Sequence, residues 1–362
     1  MLSLPDFPWD ELGPAKTRAA EHPEGLIDLS VGSPVDDTPW VLQEALAQAS
    51  NQPGYPTVRG DQSTRQDLVA WWHRVREATA VSPEGVFPTI GSKEMVGLLP
   101  LLLGLGPQDT VVYPRIAYPT YQVGASLVGA HTLASDDPDS WPEGTKLVWL
   151  NSPGNPTGEV LAPEALQRAV SRARQLGAVL ASDECYGLLG SPRQPHAPSL
   201  LSDEVTGGDL SGLLALYSLS KQSNLAGYRA AMLAGDVDVI GPIVLARRHL
   251  GLMAPSPIQQ VLRAALADSA HVEDIRRRYH RRRDVLSPAV EAAGLRITGG
   301  DSGLYIWASA DRPAMDTVAW LASRGVLVAP GHFYGPSGDH HVRIALTASD
   351  RDIDRAAARL SP

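Results

Sequence analysis

LLALYSLSKQSNLAGYRAAMLAG, residues 213–235, is the stretch from which the fold is read. It opens on an apolar run, LLALYSL at 213–219, and closes on another, AAMLAG at 230–235. Short, unbroken apolar runs of this kind are how strands buried on both faces of a sheet read. At the end of the first run stands Ser218, and between the two stand Ser220, Lys221 and Arg229, polar groups gathered where a strand ends. Open α/β sheets bind ligands beyond the carboxyl ends of their strands. The segment therefore predicts a sheet strand and one wall of a binding site together.

Outward from it the pattern repeats. VVYP at 111–114, KLVWL at 146–150 and AVLAS at 178–182 are further apolar runs, with helical stretches between several of them. PEALQRAVSRARQLG at 163–177 begins with Pro163 and stops at Gly177, as helix punctuation requires. This alternation predicts an α/β fold, a mostly parallel central sheet with helices on both faces. After a long helical stretch around 257–293 come three isolated runs, GLYIWAS at 303–309, GVLVAPG at 325–331 and HVRIALT at 341–347. They predict a smaller α+β domain. The expected division is an N-terminal arm with part of the small domain over 1–50, a large domain over 51–255 and a C-terminal small domain over 256–362.

The 362 residues, 43% of them hydrophobic, suffice for an ordinary globular core. A net charge of −9 argues against a nucleic-acid partner. The single cysteine, Cys185, excludes an internal disulfide framework and fits a reducing compartment; it reads as a small buried filler. The opening MLSLPDFPWDELGPAK carries acidic residues and prolines where a signal peptide needs a basic end and an apolar run, and no stretch approaches membrane-spanning length. A cytoplasmic protein with no membrane partner is expected. His340 and His341 are adjacent, so on a strand they point to opposite faces and make no metal site. Chemistry that needs a primary amine has four candidates, Lys16, Lys93, Lys146 and Lys221.

Three runs end in polar clusters: NSPGNPTG at 151–158, SDECYG at 182–187 and YSLSKQSNLAGYR at 217–229. One chemistry uses all of them. Pyridoxal phosphate bonds a lysine through its aldehyde and acts as an electron sink, so a protein must hold its phosphate, its ring nitrogen and its phenolic oxygen. Asp183 suits the ring nitrogen, and Tyr186 and Asn155 suit the phenolic oxygen. Ser218, Ser220 and Arg229 suit the phosphate, with Lys221 among them. Taken singly, each has an ordinary reading as well. NPTG is also a tight turn, Asp183 also a helix cap, Arg343 also a surface ion-pair partner, and Tyr55 and Tyr118 also packing aromatics.

Over nearly its whole length the chain resembles the fold type I, class I/II aminotransferases, on the motifs NSPGNPTG, SDECY and SLSK followed by GYR. That resemblance implies Lys221 as the cofactor-bearing catalytic lysine, Asn155, Asp183 and Tyr186 on the cofactor ring, and Arg229 on its phosphate. GSK at 91–93 is similar to the family's phosphate cradle, which gives Ser92 and Lys93. Tyr118 in AYPTY is similar to the aromatic that stacks on the ring. Tyr55 in YPTVRG is similar to the tyrosine that reaches the neighbouring subunit's phosphate, implying a homodimer. Gly32 in SVGSP and Arg343 match positions that hold the substrate's α-carboxylate. GSKE, YPTY and VAPGHFYGP at 328–336 further resemble the actinobacterial succinyldiaminopimelate aminotransferases. The implied exchange is between glutamate/2-oxoglutarate and an N-succinyl-diaminopimelate. Transaminases for unacylated diaminopimelate, aspartate or aromatic amino acids, and a lyase on the same fold, are the alternatives.

Overall fold

The computed structural model describes residues 8–361. The first seven residues, part of the arm expected over 1–50 and of the opening read as lacking a signal peptide, lie outside the described residues. Thirteen strands follow in chain order among the described residues. They are β1 (Ile27–Asp28), β2 (Val86–Ile90), β3 (Thr110–Tyr113), β4 (His131–Ala134), β5 (Thr145–Asn151), β6 (Val179–Asp183), β7 (Leu213–Ser218), β8 (Ala230–Gly235), β9 (Arg296–Ile297), β10 (Tyr305–Ser309), β11 (Val326–Leu327), β12 (Ala329–Pro330) and β13 (His341–Ala345).

The central sheet has seven strands in the order β2-β8-β7-β6-β5-β3-β4. β3 to β7 pair in parallel, and β8 runs antiparallel to both its neighbours, β7 and β2. Every residue of β7 and β8 is buried, which is why their sequences read as unbroken apolar runs rather than alternating ones. One face carries the helices Gln62–Arg76, Pro163–Leu176 and Ser256–Ala267 over a core with Leu68, Trp72, Leu166, Val170, Leu180 and Val261. The opposite face carries Gly91–Leu102, Thr120–Leu127 and Val237–Leu250 over Phe87, Met95, Leu99, Tyr121, Leu214 and Leu233. Each fully buried Leu or Phe contributes about 1.5–3 kcal/mol relative to exposure.

The helix predicted over 163–177 is Pro163–Leu176, ended by Gly177 at φ 62°. The helical stretch around 257–293 is two helices, Ser256–Ala267 and Ala270–Ala292. The break comes at Asp268, whose carboxylate accepts from the Ala270 and His271 amides and so caps the second helix.

The C-terminal part forms a four-stranded antiparallel sheet, β12-β13-β10-β9. The run at 325–331 splits between two sheets. Val326–Leu327 pairs in parallel with Ile27–Asp28 from the N-terminal part, and Ala329–Pro330 pairs with β13. Among the described residues no helix is long and apolar enough to cross a membrane.

Candidate active site

The carboxyl ends of β5, β6 and β7 make the floor. Asn151 and Asp183 are register partners at the ends of adjacent parallel strands. Asn151 Nδ2 donates to the Asp183 carbonyl at 2.8 Å, and its Oδ1 accepts from the Asn155 amide at 2.7 Å, tying the NPTG turn to the aspartate strand. Alternation along the chain sends the next residue, Glu184, elsewhere. It is buried and paired with Arg76 at 2.8 Å, also accepting from the Leu200 amide at 2.8 Å. Asp183 is thereby fixed from behind.

The Asp183 carboxylate accepts from Tyr121 Oη at 3.0 Å on one oxygen and from Cys185 Sγ at 2.6 Å on the other. Burial raises its pKa above the usual carboxylate value, against the lowering effect of the Cys185 and Tyr121 bonds. A buried carboxylate of this kind gains most from a cationic N–H partner. Cys185 is no inert filler: it is half-buried, its thiol bonds Asp183, and Ser92 Oγ lies 3.4 Å from its sulfur. Burial and the Asp183 charge push the thiol well up, which keeps it a neutral donor. Tyr121 is stacked on Trp149 at 5.1 Å and 25° and meets Tyr118 edge-on at 6.0 Å.

An anion cradle lies beside this floor. β2 and β8 are neighbours, with Ile90 opposite Ala230, so GSK at the start of helix Gly91–Leu102 meets Arg229 just ahead of β8. The helix has no side-chain cap at Ile90, and its first amides have no intrahelical partner. Gly91 has φ 71°, and a Cβ there would stand 2.6 Å from Arg229 Cζ, so the guanidinium occupies the space a side chain would take. Ser218 Oγ donates to Ser220 Oγ at 3.0 Å. Helix-start amides, a guanidinium and hydroxyls are the donor set a phosphate dianion requires. Lys93 Nζ stands 5.9 Å over the Tyr118 ring.

Lys221 sits on the short helix Leu219–Gln222 that follows β7, and its Nζ donates to the Gly32 carbonyl. A Cβ at Gly32 would come within 2.8 Å of Tyr305 Cε1, so this close passage requires glycine. The Tyr305 and Tyr186 hydroxyls are 3.1 Å apart. Arg343, from β13, is buried and donates to Asn155 Oδ1 at 3.1 Å and to the Ser30 carbonyl at 2.7 Å. Its guanidinium lies 4.1 Å from the Tyr305 ring centre, 5.1 Å from that of Tyr334 and 5.7 Å from that of Trp9.

The fold thus joins Ser92, Lys93, Tyr118, Asn155, Asp183, Tyr186, Ser218, Ser220, Lys221, Arg229, Gly32 and Arg343 into one linked group. Tyr55 stands apart, 97% exposed on the surface of the single chain. Sequence reasoning missed Tyr121, Asn151, Cys185 as a donor, and Tyr305. Tyr121 follows Tyr118 at helical spacing, and Asn151 ends an apolar run; those signals were readable. Nothing local marks Tyr305, whose hydroxyl partner Tyr186 is 119 residues away in sequence.

A family model described as aminotransferase class I and II matches residues 24–360. The chain is 49% identical over 362 residues to the 4-dedimethylamino-4-oxo-anhydrotetracycline transaminase OxyQ of Streptomyces rimosus, covering 100% of both chains. It is 48% identical to the probable aminotransferase Rv1178 of Mycobacterium tuberculosis, covering 99% of this chain and 86% of that one. Among solved structures, the probable N-succinyldiaminopimelate aminotransferase of Thermus thermophilus superposes with a TM-score of 0.86 at 27% identity, covering 98% and 99% of the two chains. The chain belongs to the class I and II aminotransferases, pyridoxal-phosphate enzymes of fold type I.

Proposed function

We propose that Lys221 bonds the aldehyde carbon of pyridoxal 5′-phosphate and that the enzyme exchanges an amino group between an amino acid and the glutamate/2-oxoglutarate pair. Bound there, the cofactor supplies an electron sink for the substrate's Cα. The observation that carries the reading is that Lys221 Nζ donates to the Gly32 carbonyl, with its charge felt at Cys185 beside Asp183. The residues fit the group. Asp183 holds the ring nitrogen, Tyr186 and the Asn155 side-chain Nδ2 meet the phenolic oxygen, and Tyr118 covers the ring. Ser92, Lys93, Ser218, Ser220 and Arg229 hold the phosphate. Arg343 and the Gly32 segment fix the α-carboxylate, and the freed Lys221 amine carries the proton to and from Cα.

For the second substrate we propose N-succinyl-L,L-2,6-diaminopimelate, a step of lysine biosynthesis. The GSKE, YPTY and VAPGHFYGP segments support it, as does the likeness to the Thermus thermophilus enzyme. Full-length 49% identity to OxyQ favours a second reading, a ring ketone as amino acceptor. We further propose a cytoplasmic homodimer in which Tyr55 reaches the neighbouring subunit's phosphate, and a division into 1–50, 51–255 and 256–362. In that division the helix Ser256–Ala267 opens the C-terminal part in sequence, while its Val261, Leu262 and Leu266 pack in the large core.

The test is a half-reaction followed by an acceptor panel. Glutamate alone should bleach the yellow protein and release 2-oxoglutarate; ammonia release without an oxo-acid acceptor would mark a lyase instead. Purified protein without a chromophore, or without a borohydride-trapped adduct on the Lys221 peptide, would overturn the reading. Amination of 4-oxo-anhydrotetracycline with no turnover of N-succinyl-diaminopimelate would replace the substrate.

A further inference from the structure

Two buried phenols face each other at the centre of the site. Tyr186 and Tyr305 have ring centroids 5.9 Å apart at 75°, and their hydroxyls are 3.1 Å apart, so one donates to the other. Tyr305 also contacts the rest of the site. Its ring lies 4.1 Å from the Arg343 guanidinium, and its hydroxyl end lies where any side chain at Gly32 would stand. Gly32 in turn accepts from Lys221. Tyr305 comes from β10 and Tyr186 from the turn after β6, so the pair also links the two sheets.

A hydroxyl has a single proton to give. If Tyr186 serves the cofactor's phenolic oxygen, its proton is committed there, and the bond between the two tyrosines must run from Tyr305 to Tyr186. We propose that Tyr305 is a positioning residue with two tasks. Its hydroxyl donates to Tyr186 Oη and thereby aims and strengthens the Tyr186 bond to the cofactor, while its ring supports Arg343. Hydrogen bonds in a chain polarise one another, so a phenol that accepts one bond is a better donor of the next. The inference rests on the assignment of Lys221 and Tyr186 made above.

The sign of the effect follows. A donor to the phenolic oxygen favours the form with more negative charge on that oxygen, which is the deprotonated chromophore. Weakening that donor raises the pH at which the lysine-bound chromophore changes colour. Tyr305→Phe keeps the ring and removes only the hydroxyl. It should raise that midpoint by roughly 0.1–0.5 pH unit, a fraction of the Tyr186 bond's own contribution. The KM for glutamate should change less than about 3-fold, because the ring still supports Arg343. Tyr305→Leu removes the ring as well and should raise KM by roughly 10-fold. Starting from Tyr186→Phe, adding Tyr305→Phe should move the midpoint no further, since the effect passes through Tyr186. A merely structural role for Tyr305 would not produce that non-additivity. A colourless wild-type protein would overturn the assignment of Lys221 and this inference with it. A coloured wild type whose midpoint Tyr305→Phe leaves unmoved or lowers, or an equal shift in the Tyr186→Phe background, would overturn the inference alone.

Discussion

Arg343 occupies a setting that a lysine could not reproduce. Its planar fork reaches Asn155 Oδ1 with one nitrogen and the Ser30 carbonyl with the other, while aromatic rings lie against the guanidinium. An ammonium group has neither the fork nor the flat face. Arg343→Lys is therefore expected to raise KM for the amino-acid substrate by roughly 10- to 100-fold, the 1.5–3 kcal/mol of one charged hydrogen bond, with a smaller effect on kcat. Steady-state kinetics with glutamate checks it, and an unchanged KM would remove Arg343 from the carboxylate pocket. Gly91 is a second such position. At φ 71° an alanine is strained, and its Cβ would displace the Arg229 guanidinium. Gly91→Ala should weaken cofactor retention at least about 10-fold on dialysis, through the displaced charged hydrogen bond. Retention equal to wild type would show that the phosphate does not use this cradle. The candidate site was legible in sequence where a motif fixes local geometry: Lys221 between its serines, Asn155 in its turn, Asp183 and Tyr186 three apart at the end of an apolar run. It was not legible where geometry is made by distant contact. Tyr305 meets Tyr186 across 119 residues, and the Cys185 thiol meets the Ser92 hydroxyl across 93.

At the scale of elements, the C-terminal helices are held by a buried arginine. Arg282, on helix Ala270–Ala292, is fully buried and donates to Asp36 at 2.6 and 2.9 Å and to Asp350 at 2.7 Å. It fastens that helix to the N-terminal segment and to the start of helix Asp350–Leu360. The Arg281 and Arg282 hydrogen bonds hold the Asp350 carboxyl at about 2, against an ordinary value of 3.8. A depressed carboxyl stabilises the folded state above its unfolded pKa, and that contribution is lost as pH falls from 3.8 toward 2. Asp350→Asn should therefore lower stability at pH 7 and flatten the fall in stability between about pH 4 and 2, read by denaturant titration across pH. An Asp350→Asn protein with the wild-type acid profile would sink the assignment. Arg282→Met should cost roughly 2 kcal/mol, below the 3–5 of a fully buried pair because the Asp350 side chain is partly in water. The same contrast between local and distant signals governs the fold. β5 to β8 were readable because strands buried on both faces are continuous apolar runs. β4 was not, because three of its four residues are exposed at the sheet edge, and β2 was obscured by Pro88. The antiparallel direction of β8 and the split of 325–331 between two sheets depend on pairing partners that no local pattern names.

At the scale of the whole molecule, the site is made by parts that the cofactor and substrate would bind together. Asp183, Lys221 and Arg229 come from the ends of the central sheet, Arg343 and Tyr305 from the C-terminal sheet, and Gly32 and Ser30 from the segment following β1. A ligand bound only by the folded arrangement stabilises it by mass action, about 2.7 kcal/mol at a hundredfold excess over Kd. In a chain of this size each kcal/mol raises Tm by roughly 1.3 °C, so stripping pyridoxal 5′-phosphate should lower Tm by about 3 °C or more. On the proposed assignment, the bond to Lys221 would supply one part of that stabilisation and the noncovalent contacts of the phosphate and ring the rest. Lys221→Ala protein should therefore still gain part of the shift when saturated with the cofactor, while a combined Lys221→Ala and Arg229→Ala protein should gain little. Calorimetry of stripped and loaded protein measures both. Coincident melts for stripped and loaded wild type would mean that these groups do not converge on one ligand. A full shift in the double variant would place the phosphate away from Arg229.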